Sequence, residues 1–291
     1  MKEFEVTADD VGVRADVFVA ANYPEFTRSS LEGLFDSDMV LVNGKPVKPS
    51  HKIKKGEKVT VDEELLRLQP EDIELPVLFE DKDVLVIDKP AGVLTHSKGA
   101  LNHEATVASF IKNKLNDDLL EGNRAGIVHR LDRPTSGVII TGRNAVAVAH
   151  LQKQFSQRKT KKQYIAVVEG VPEPKEAVID APIMRNPQRP QTFLVKQGGK
   201  PAITHYKVVK SFKNGNQNYS LIELAPHTGR THQLRVHLAY IGHPIVGDHI
   251  YGKTDGPMML HAVSLELTLP NKQRKIFKSA VPQRIKEFAK L

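Results

Sequence analysis

The sequence predicts an α+β protein: a large domain around a mixed, largely antiparallel sheet, preceded by a small α/β unit. Three observations predict it. Apolar residues make up 40% of the 291 positions, enough to bury a sizeable core in one large domain or in a small one plus a large one. Short apolar runs alternate with stretches of helical spacing, yet no regular strand–helix–strand period appears. A polar, acidic stretch bounded by prolines, EELLRLQPEDIELP at 63–76, reads as a linker between residues 1–62 and 77–291.

In the small unit, TRSSLEGLFDSD has the pattern of a short helix. Thr27 or Ser29 is placed to cap it, and Leu31, Leu34 and Phe35 share one face. MVLVNGKPV reads as a hairpin: Val40 and Val42 alternate, Asn43-Gly44 supplies a positive-φ turn, and Val47 resumes the strand. KKGEKVTVD reads as a turn and another strand. Lys45, Lys48, Lys52, Lys54, Lys55 and Lys58 surround this hairpin. Charge alone leaves open whether they form a phosphate-binding surface or a solvated edge that resists aggregation.

In the large unit, Val77–Phe79 and Val84–Ile87 read as strands joined by the turn EDKD. ATVASFIKNKL has helical spacing, GVIITG is a short buried strand, and AVAVAHLQKQFSQ is a helix with one apolar face. YIAVVEG and YSLIELAP are strands, and THQLRVHLAY returns to helical spacing. No internal repeat or low-complexity segment interrupts the pattern.

Composition narrows the function. There is no cysteine, which excludes disulfides, thiolate metal sites and cysteine nucleophiles and is compatible with the cytoplasm. The N-terminal stretch lacks the apolar core of a secretory signal, and no apolar run approaches a membrane span, so an intracellular protein without membrane contact is expected. The formal net charge is +8, unevenly spread. Met1–Val84 carries 11 basic and 19 acidic residues, net −8, whereas Leu85–Leu291 carries 31 basic and 15 acidic, net +16. The later part therefore favours a polyanionic partner, nucleic acid first.

Three stretches could carry chemistry. In GIVHRLDRPTSGVIITG, residues 126–142, Asp132 is flanked by His129, Arg130 and Arg133 and leads through a turn into an apolar strand. That puts a carboxylate among positive charges on a loop held by a rigid sheet. The alternative is an ordinary Asx-type turn made by Asp132 and Thr135. In LAPHTGRTHQLRVHLAYIGHPIVGDHIYG, residues 224–252, Arg230 and Arg235 lie among five histidines. His232 and His237 are five apart, not the four of a zinc-binding helix, and HEATV at His103 lacks a second histidine. Most of these histidines read as capping or buried hydrogen-bonding groups. In QFSQRKTKKQYIAVVEG, Arg158, Lys159, Lys161 and Lys162 precede Tyr164 at the head of a strand. That suits phosphate contacts beside a base-stacking ring, or equally a charged helix end and a core tyrosine.

Taken in order, these stretches resemble the RluA-type pseudouridine synthase family. GIVHRLDRPTSG matches its catalytic loop, DKPAGVLTH its early strand-and-turn motif, and KKQYIAVVEG its Lys-x-Tyr strand. HTGRTHQLRVHLAYIGHPIVGD matches its arginine motif and MMLHAVSLEL its Leu-His-Ala strand. RADVFVAANYPEFTRSSLEGLFDSDMVLVNGKPVKPSHKIKKGEKVTV resembles an S4 RNA-binding domain, with Glu57 where that family usually has Asp. Pro134 and Arg133 also depart from the commonest residues of the catalytic loop.

The resemblance implies isomerisation of uridine to pseudouridine in RNA, without metal or organic cofactor. It implies Asp132 as the catalytic aspartate, Arg230 as its ion-pair partner, and Tyr164 as the residue that stacks on the target base and assists proton transfer. It further implies Leu260 packing on the base pocket, Arg130 entering the RNA stack when the base flips out, and His129, Lys162 and Arg133 on the substrate-binding surface. Large-subunit ribosomal RNA is the expected target, with transfer RNA as the alternative. A non-catalytic RNA-binding protein and a metal hydrolase built on the histidines are the competing classes, and a monomer is the default state.

Overall fold

The structure, a computed structural model, describes residues 1–24, 26–68, 70–97, 104–117 and 124–291. His103 lies outside the described residues. The chain divides into two compact units, Met1–Ile73 with His96–Ser109, and Glu74–Thr95 with Phe110–Leu291.

The first unit contains β1 (Lys2–Glu5), α1 (Ala15–Asn22), α2 (Glu32–Asp36), β2 (Val40–Val42), β3 (Lys45–Pro46), β4 (Lys58–Val61) and α3 (Glu64–Arg67). The strands form an antiparallel sheet in the order β1-β4-β2-β3. Phe18 and Val19 of α1 and Leu34 and Phe35 of α2 pack on Val40, Val42, Val59 and Val61. The hairpin forms as the sequence predicts, with Asn43 at φ 51° and Gly44 at φ 75°. The helix expected over TRSSLEGLFDSD is instead broken. A 3-10 turn at Arg28–Ser30 precedes α2, and neither Thr27 nor Leu31 caps with its side chain. The hydroxyls are used inside the turn: Ser30 Oγ donates to the Thr27 carbonyl at 2.6 Å, and the Thr27 and Ser29 hydroxyls are 3.3 Å apart. The stretch read as a linker contains α3.

The second unit contains β5 (Val77–Glu80) and β6 (Val84–Lys89). After α4 (Val107–Lys112), which begins in the first unit, come β7 (Ser136–Gly142), α5 (Ala145–Ser156), β8 (Lys161–Glu169), β9 (Glu176–Asp180), β10 (Ile183–Arg185), β11 (Phe193–Val195), β12 (Ile203–Asn214), β13 (Gln217–Pro226), α6 (Gln233–Tyr240), β14 (Leu260–Thr268), β15 (Arg274–Lys278) and α7 (Gln283–Ala289). Among the described residues the main sheet has nine strands, in the order β5-β6-β7-β14-β8-β13-β12-β9, with β15 beside β14. Its pairings are antiparallel except β7 with β14. The expected mixed, largely antiparallel sheet is therefore present.

β7 is buried along its whole length, which explains why SGVIITG reads as an unbroken apolar run rather than an alternating one. Ile139 and Ile140 are both fully buried, each contributing about 1.5–3 kcal/mol. Gly137 sits at φ +116°, where an added Cβ would lie 2.2 Å from the Ala262 carbonyl oxygen. Only glycine lets β7 run this close to β14. One core lies under β8, β13 and α6 and another between β6, β7, α5 and β15. The loop before β7, the head of β8, the end of β13, the start of α6 and the start of β14 open on one cleft.

Candidate active site

The cleft encloses about 410 Å³, within the range of small-ligand sites. Asp132 enters it from the loop before β7, Lys162 and Tyr164 from β8, Leu260 from β14, and residues 226–235 from the β13–α6 connection. The Asp132 loop is closed by its backbone: the Thr135 N–H donates to the Asp132 carbonyl at 3.0 Å. The turn is thus closed without the Asp132 side chain, and the Asx-turn alternative does not apply. Thr95 fixes the preceding residue in both directions, donating to the Leu131 carbonyl at 2.8 Å and accepting from its N–H at 3.2 Å.

Lys89, at the end of β6, holds the loop from below. It is fully buried and its ammonium donates to the carbonyls of Pro90, Val93 and Arg133 at 2.9, 2.8 and 3.2 Å. Burial pulls Lys89 down to about 7, with the Asp132 carboxylate opposing. Three carbonyl acceptors require all three ammonium protons, so the geometry favours the charged form.

The group expected to pair with Asp132 was Arg230; the structure puts Arg235 there. Arg235 Nη1 lies 3.6 Å from Asp132 Oδ2. The same guanidinium grips Asp248 bidentately, Nε and Nη2 each donating at 2.7 Å. Its Cζ lies over the Tyr251 ring, 5.1 Å from the ring centre. Arg230 lies on the turn before α6, and its Nε donates to the Pro201 carbonyl at 3.0 Å. The physical reason is register. Arg235 is inside α6, with its side chain buried against the site, whereas Arg230 precedes the helix at the rim of the cleft. Burial works against the Asp248 charge, but the Arg235 hydrogen bonds hold its carboxyl below the ordinary range.

His232 also faces Asp132, Nε2 to Oδ2 at 4.0 Å. Both neighbours come nearest at one oxygen, Oδ2, and among the described residues the Asp132 carboxylate makes no hydrogen bond.

The turn before α6 rests on a buried polar network. Gln233 Oε1 accepts from Thr228 Oγ1 at 2.7 Å and from the Arg230 N–H at 3.0 Å, while its amide donates to the Ile203 carbonyl and Thr204 Oγ1, both at 3.0 Å. Thr204 meets His237 Nδ1 at 2.9 Å, and His237 Nε2 donates to the Ala181 carbonyl. His243 Nδ1 meets the Glu169 carbonyl at 2.8 Å. These histidines are structural hydrogen-bonding groups. Among the described residues no group of three or more His, Cys, Asp or Glu is arranged to hold a metal ion.

Burial pushes the Tyr164 phenol up, the Asp132 carboxylate adding to it, so it stays a neutral hydroxyl. Burial pulls Lys162 down to about 8; its Nζ donates to the Thr228 carbonyl at 3.1 Å. His129 accepts the Ile140 N–H on Nε2 at 3.0 Å and stacks on Phe155 with 4.5 Å between ring centres. Burial, with Lys162 nearby, pulls it to about 3. Arg130 is exposed at the cleft. Of the sequence-predicted residues, Asp132, Tyr164, Lys162, Arg130, His129, Leu260 and Arg230 line the cleft. Arg133 does not: it is exposed, and its Nε donates to the Gly92 carbonyl at 3.0 Å.

The roles of Lys89, Arg235, Asp248, His232 and Tyr251 escaped sequence reasoning. A signal existed for two of them. His232 and Arg235 are three apart at the head of a helix, hence neighbours on one face, and Arg230 falls outside that spacing.

The family model for RNA pseudouridylate synthase matches residues 83–240. A protein of Aquifex aeolicus described as an uncharacterized RNA pseudouridine synthase is 38% identical over 86% of this chain and 79% of its own length. The ribosomal large subunit pseudouridine synthase D of Nitrosomonas europaea is 37% identical over 96% of this chain and 84% of its own. Among solved structures, human RNA pseudouridylate synthase domain containing 1 superposes with a TM-score of 0.60 at 27% identity, covering 73% of this chain and 86% of that one.

Proposed function

The chain belongs to the RNA pseudouridylate synthase family, and from that premise we propose that it isomerises uridine to pseudouridine in large-subunit ribosomal RNA with Asp132 as the acting carboxylate. The observation that carries the role of Asp132 is its setting: the carboxylate lines the cleft with Oδ2 3.6 Å from Arg235 Nη1 and 4.0 Å from His232 Nε2, and among the described residues it makes no hydrogen bond of its own. In the reaction the N1–C1′ bond breaks, a C5–C1′ bond forms, the C5 proton leaves and N1 gains one. There is no net oxidation or reduction. An oriented, charge-balanced carboxylate beside C1′ suits either attack on that carbon or removal of a ribose proton.

Tyr164, a neutral hydroxyl beside the carboxylate, is read as the ring on which the base stacks and as an aid to proton movement at C5. Leu260 packs against the base, and Arg130, exposed two residues before Asp132, is read as the side chain that fills the stack left by the flipped nucleotide. Lys162 and His129 line the same pocket. Arg230 is read as a rim contact to RNA rather than as the partner of Asp132, and Arg133 as a backbone-facing support of the loop. The net +16 after Val84 supports a phosphate-tracking surface.

Residues 1–62 are read as an S4-like RNA-binding unit. The VNG hairpin and six exposed lysines, Lys45, Lys48, Lys52, Lys54, Lys55 and Lys58, support this. Ribosomal RNA as target rests on the descriptions of the relatives. The cysteine-free composition is compatible with the cytoplasm as the place of action, and among the described residues no helix is long and apolar enough to cross a membrane. Mapping pseudouridines in ribosomal and transfer RNA from cells with and without the protein tests the reading. A large-subunit site that vanishes supports it, a vanished transfer-RNA site redirects it, and no change overturns it.

A further inference from the structure

His232 occupies an unusual position for a residue without an assigned role. It stands immediately before α6 at φ +56°, in the left-handed region that side-chain-bearing residues seldom adopt. That backbone aims its ring into the cleft between Asp132 and Tyr251. Nδ1 lies 2.8 Å from Tyr251 Oη, and Nε2 lies 4.0 Å from Asp132 Oδ2. Phe193 meets the ring edge-on at 5.5 Å, and Tyr251 at 5.7 Å. The side chain is only 15% exposed.

The direction of the hydrogen bonds follows from their partners. The Phe193 N–H donates to Tyr251 Oη at 2.9 Å. The phenol oxygen is thereby an acceptor, and its own proton is available to His232 Nδ1. An imidazole that accepts at Nδ1 carries its proton at Nε2 in the neutral form. Nε2–H then faces the carboxylate.

We propose that His232 is a positioning residue for Asp132, held by Tyr251 in the tautomer that presents Nε2–H to Oδ2, so that Arg235 and His232 together hold one carboxylate oxygen and leave Oδ1 to the substrate. This rests on Asp132 being the acting carboxylate. The arrangement divides the labour around Asp132. Arg235 supplies charge but is committed to Asp248 by two short bonds. His232 supplies a neutral donor whose gap of 4.0 Å closes when the carboxylate moves to meet the sugar, as catalytic contacts often tighten in the reacting complex. The charged and titratable groups acting on the ring are Asp132, Arg235, Asp248 and Arg130, together with Tyr251. Burial holds the imidazole below its ordinary value, Asp132 opposing this and Arg235 reinforcing it, so at neutral pH the tautomer decides what the carboxylate meets.

The test is the steady-state kinetics of full-length Tyr251→Phe, His232→Ala and His232→Gln on a uridine-containing ribosomal RNA fragment, with wild type and Asp132→Asn as controls and a melting curve for each protein. Tyr251→Phe removes the proton that sets the tautomer. Its kcat should fall roughly 10- to 100-fold at pH 8 with KM little changed. The loss should shrink only as pH falls well below the ordinary imidazole value of about 6.5, because burial delays protonation and a protonated ring regains Nε2–H whatever its former tautomer. His232→Ala should lose kcat at every pH, and His232→Gln, which keeps an N–H donor of similar reach, should recover part of it. Wild-type kcat in folded His232→Ala, a loss in Tyr251→Phe that does not vary with pH, or no recovery in His232→Gln overturns the proposal. If the alanine variant does not fold, the Tyr251→Phe pH profile decides alone. An active Asp132→Asn would instead refute the assignment of Asp132 on which the proposal stands, and an inactive wild type would refute the proposed activity on this RNA.

Discussion

Replacing Arg235 separates two roles that one guanidinium combines. In Arg235→Met, Asp248 loses both 2.7 Å hydrogen bonds while its side chain stays fully buried. An uncompensated buried charge of this kind costs about 3–5 kcal/mol of stability. Adding Asp248→Asn removes that charge and should recover most of the loss. The second role is at Asp132. Two unit charges 3.6 Å apart attract by about 5 kcal/mol at an effective dielectric of about 20, and by about 1 kcal/mol in water. The Asp132 side chain is 17% exposed, so the operative figure lies between, about 2–3 kcal/mol, or about 30- to 150-fold in turnover. The assay is release of tritium from C5 of labelled uridine in RNA, paired with thermal melts. The double variant should melt near wild type and still turn over about 30- to 150-fold more slowly. Arg230→Ala, with no contact to the carboxylate, should mainly raise KM. Wild-type turnover in the double variant, or a larger kcat loss in Arg230→Ala, would refute Arg235 as the partner of Asp132.

Further outcomes follow from the same geometry. The ordinary imidazole value is about 6.5 and the folded protein pulls His129 to about 3; below 6.5 the unfolded chain binds a proton that the folded one refuses. Stability present above pH 6.5 should therefore be lost as pH falls towards 3, by up to about 1.4 kcal/mol per unit. His129→Gln, which can still accept from Ile140, should flatten that slope in denaturant titrations from pH 7 to 4, and an unchanged slope would contradict the burial argument. Gly137→Ala brings a Cβ within 2.2 Å of the Ala262 carbonyl and should destabilise by about 3 kcal/mol; a wild-type melting temperature would show that β7 and β14 can move apart freely. Deleting residues 1–62 should weaken RNA binding or relax site choice while tritium release persists on a minimal substrate; unchanged binding and site choice would assign that unit another task.

Much of the fold was legible because its signals are local. The Asn43-Gly44 turn needs two positive-φ positions, and the chain supplies them where the strands require. The apolar run of GVIITG announced a short buried strand, and β7 is buried along its whole length. The short helix of TRSSLEGLFDSD and its face of Leu31, Leu34 and Phe35 are present, but it starts later than the sequence suggests, because the Thr and Ser hydroxyls bond within a 3-10 turn instead of capping, a competition that residue identity does not decide. At the site, motif order already suggests Asp132 and Tyr164, and the fold brings both to one cleft. The partner of Asp132 is not legible that way. Arg230 and Arg235 are equally charged in a string of letters, and only the start of α6 at Gln233 decides which one turns inward. Lys89, a fully buried ammonium, looked like any lysine after a strand. Its role depends on three carbonyls, one of them at Arg133, that sequence proximity cannot bring together.

Everything proposed for the reaction converges on the Asp132 carboxylate, which lines the cleft with Oδ2 facing Arg235 and His232. Asp132→Asn nearly preserves its shape and removes its charge. The most direct measurement is pseudouridine formed per enzyme by this variant on ribosomal RNA fragments, alongside its RNA affinity at the same salt concentration. The account predicts no detectable pseudouridine and an affinity within a few-fold of wild type. Pseudouridine formation at the wild-type rate would contradict it.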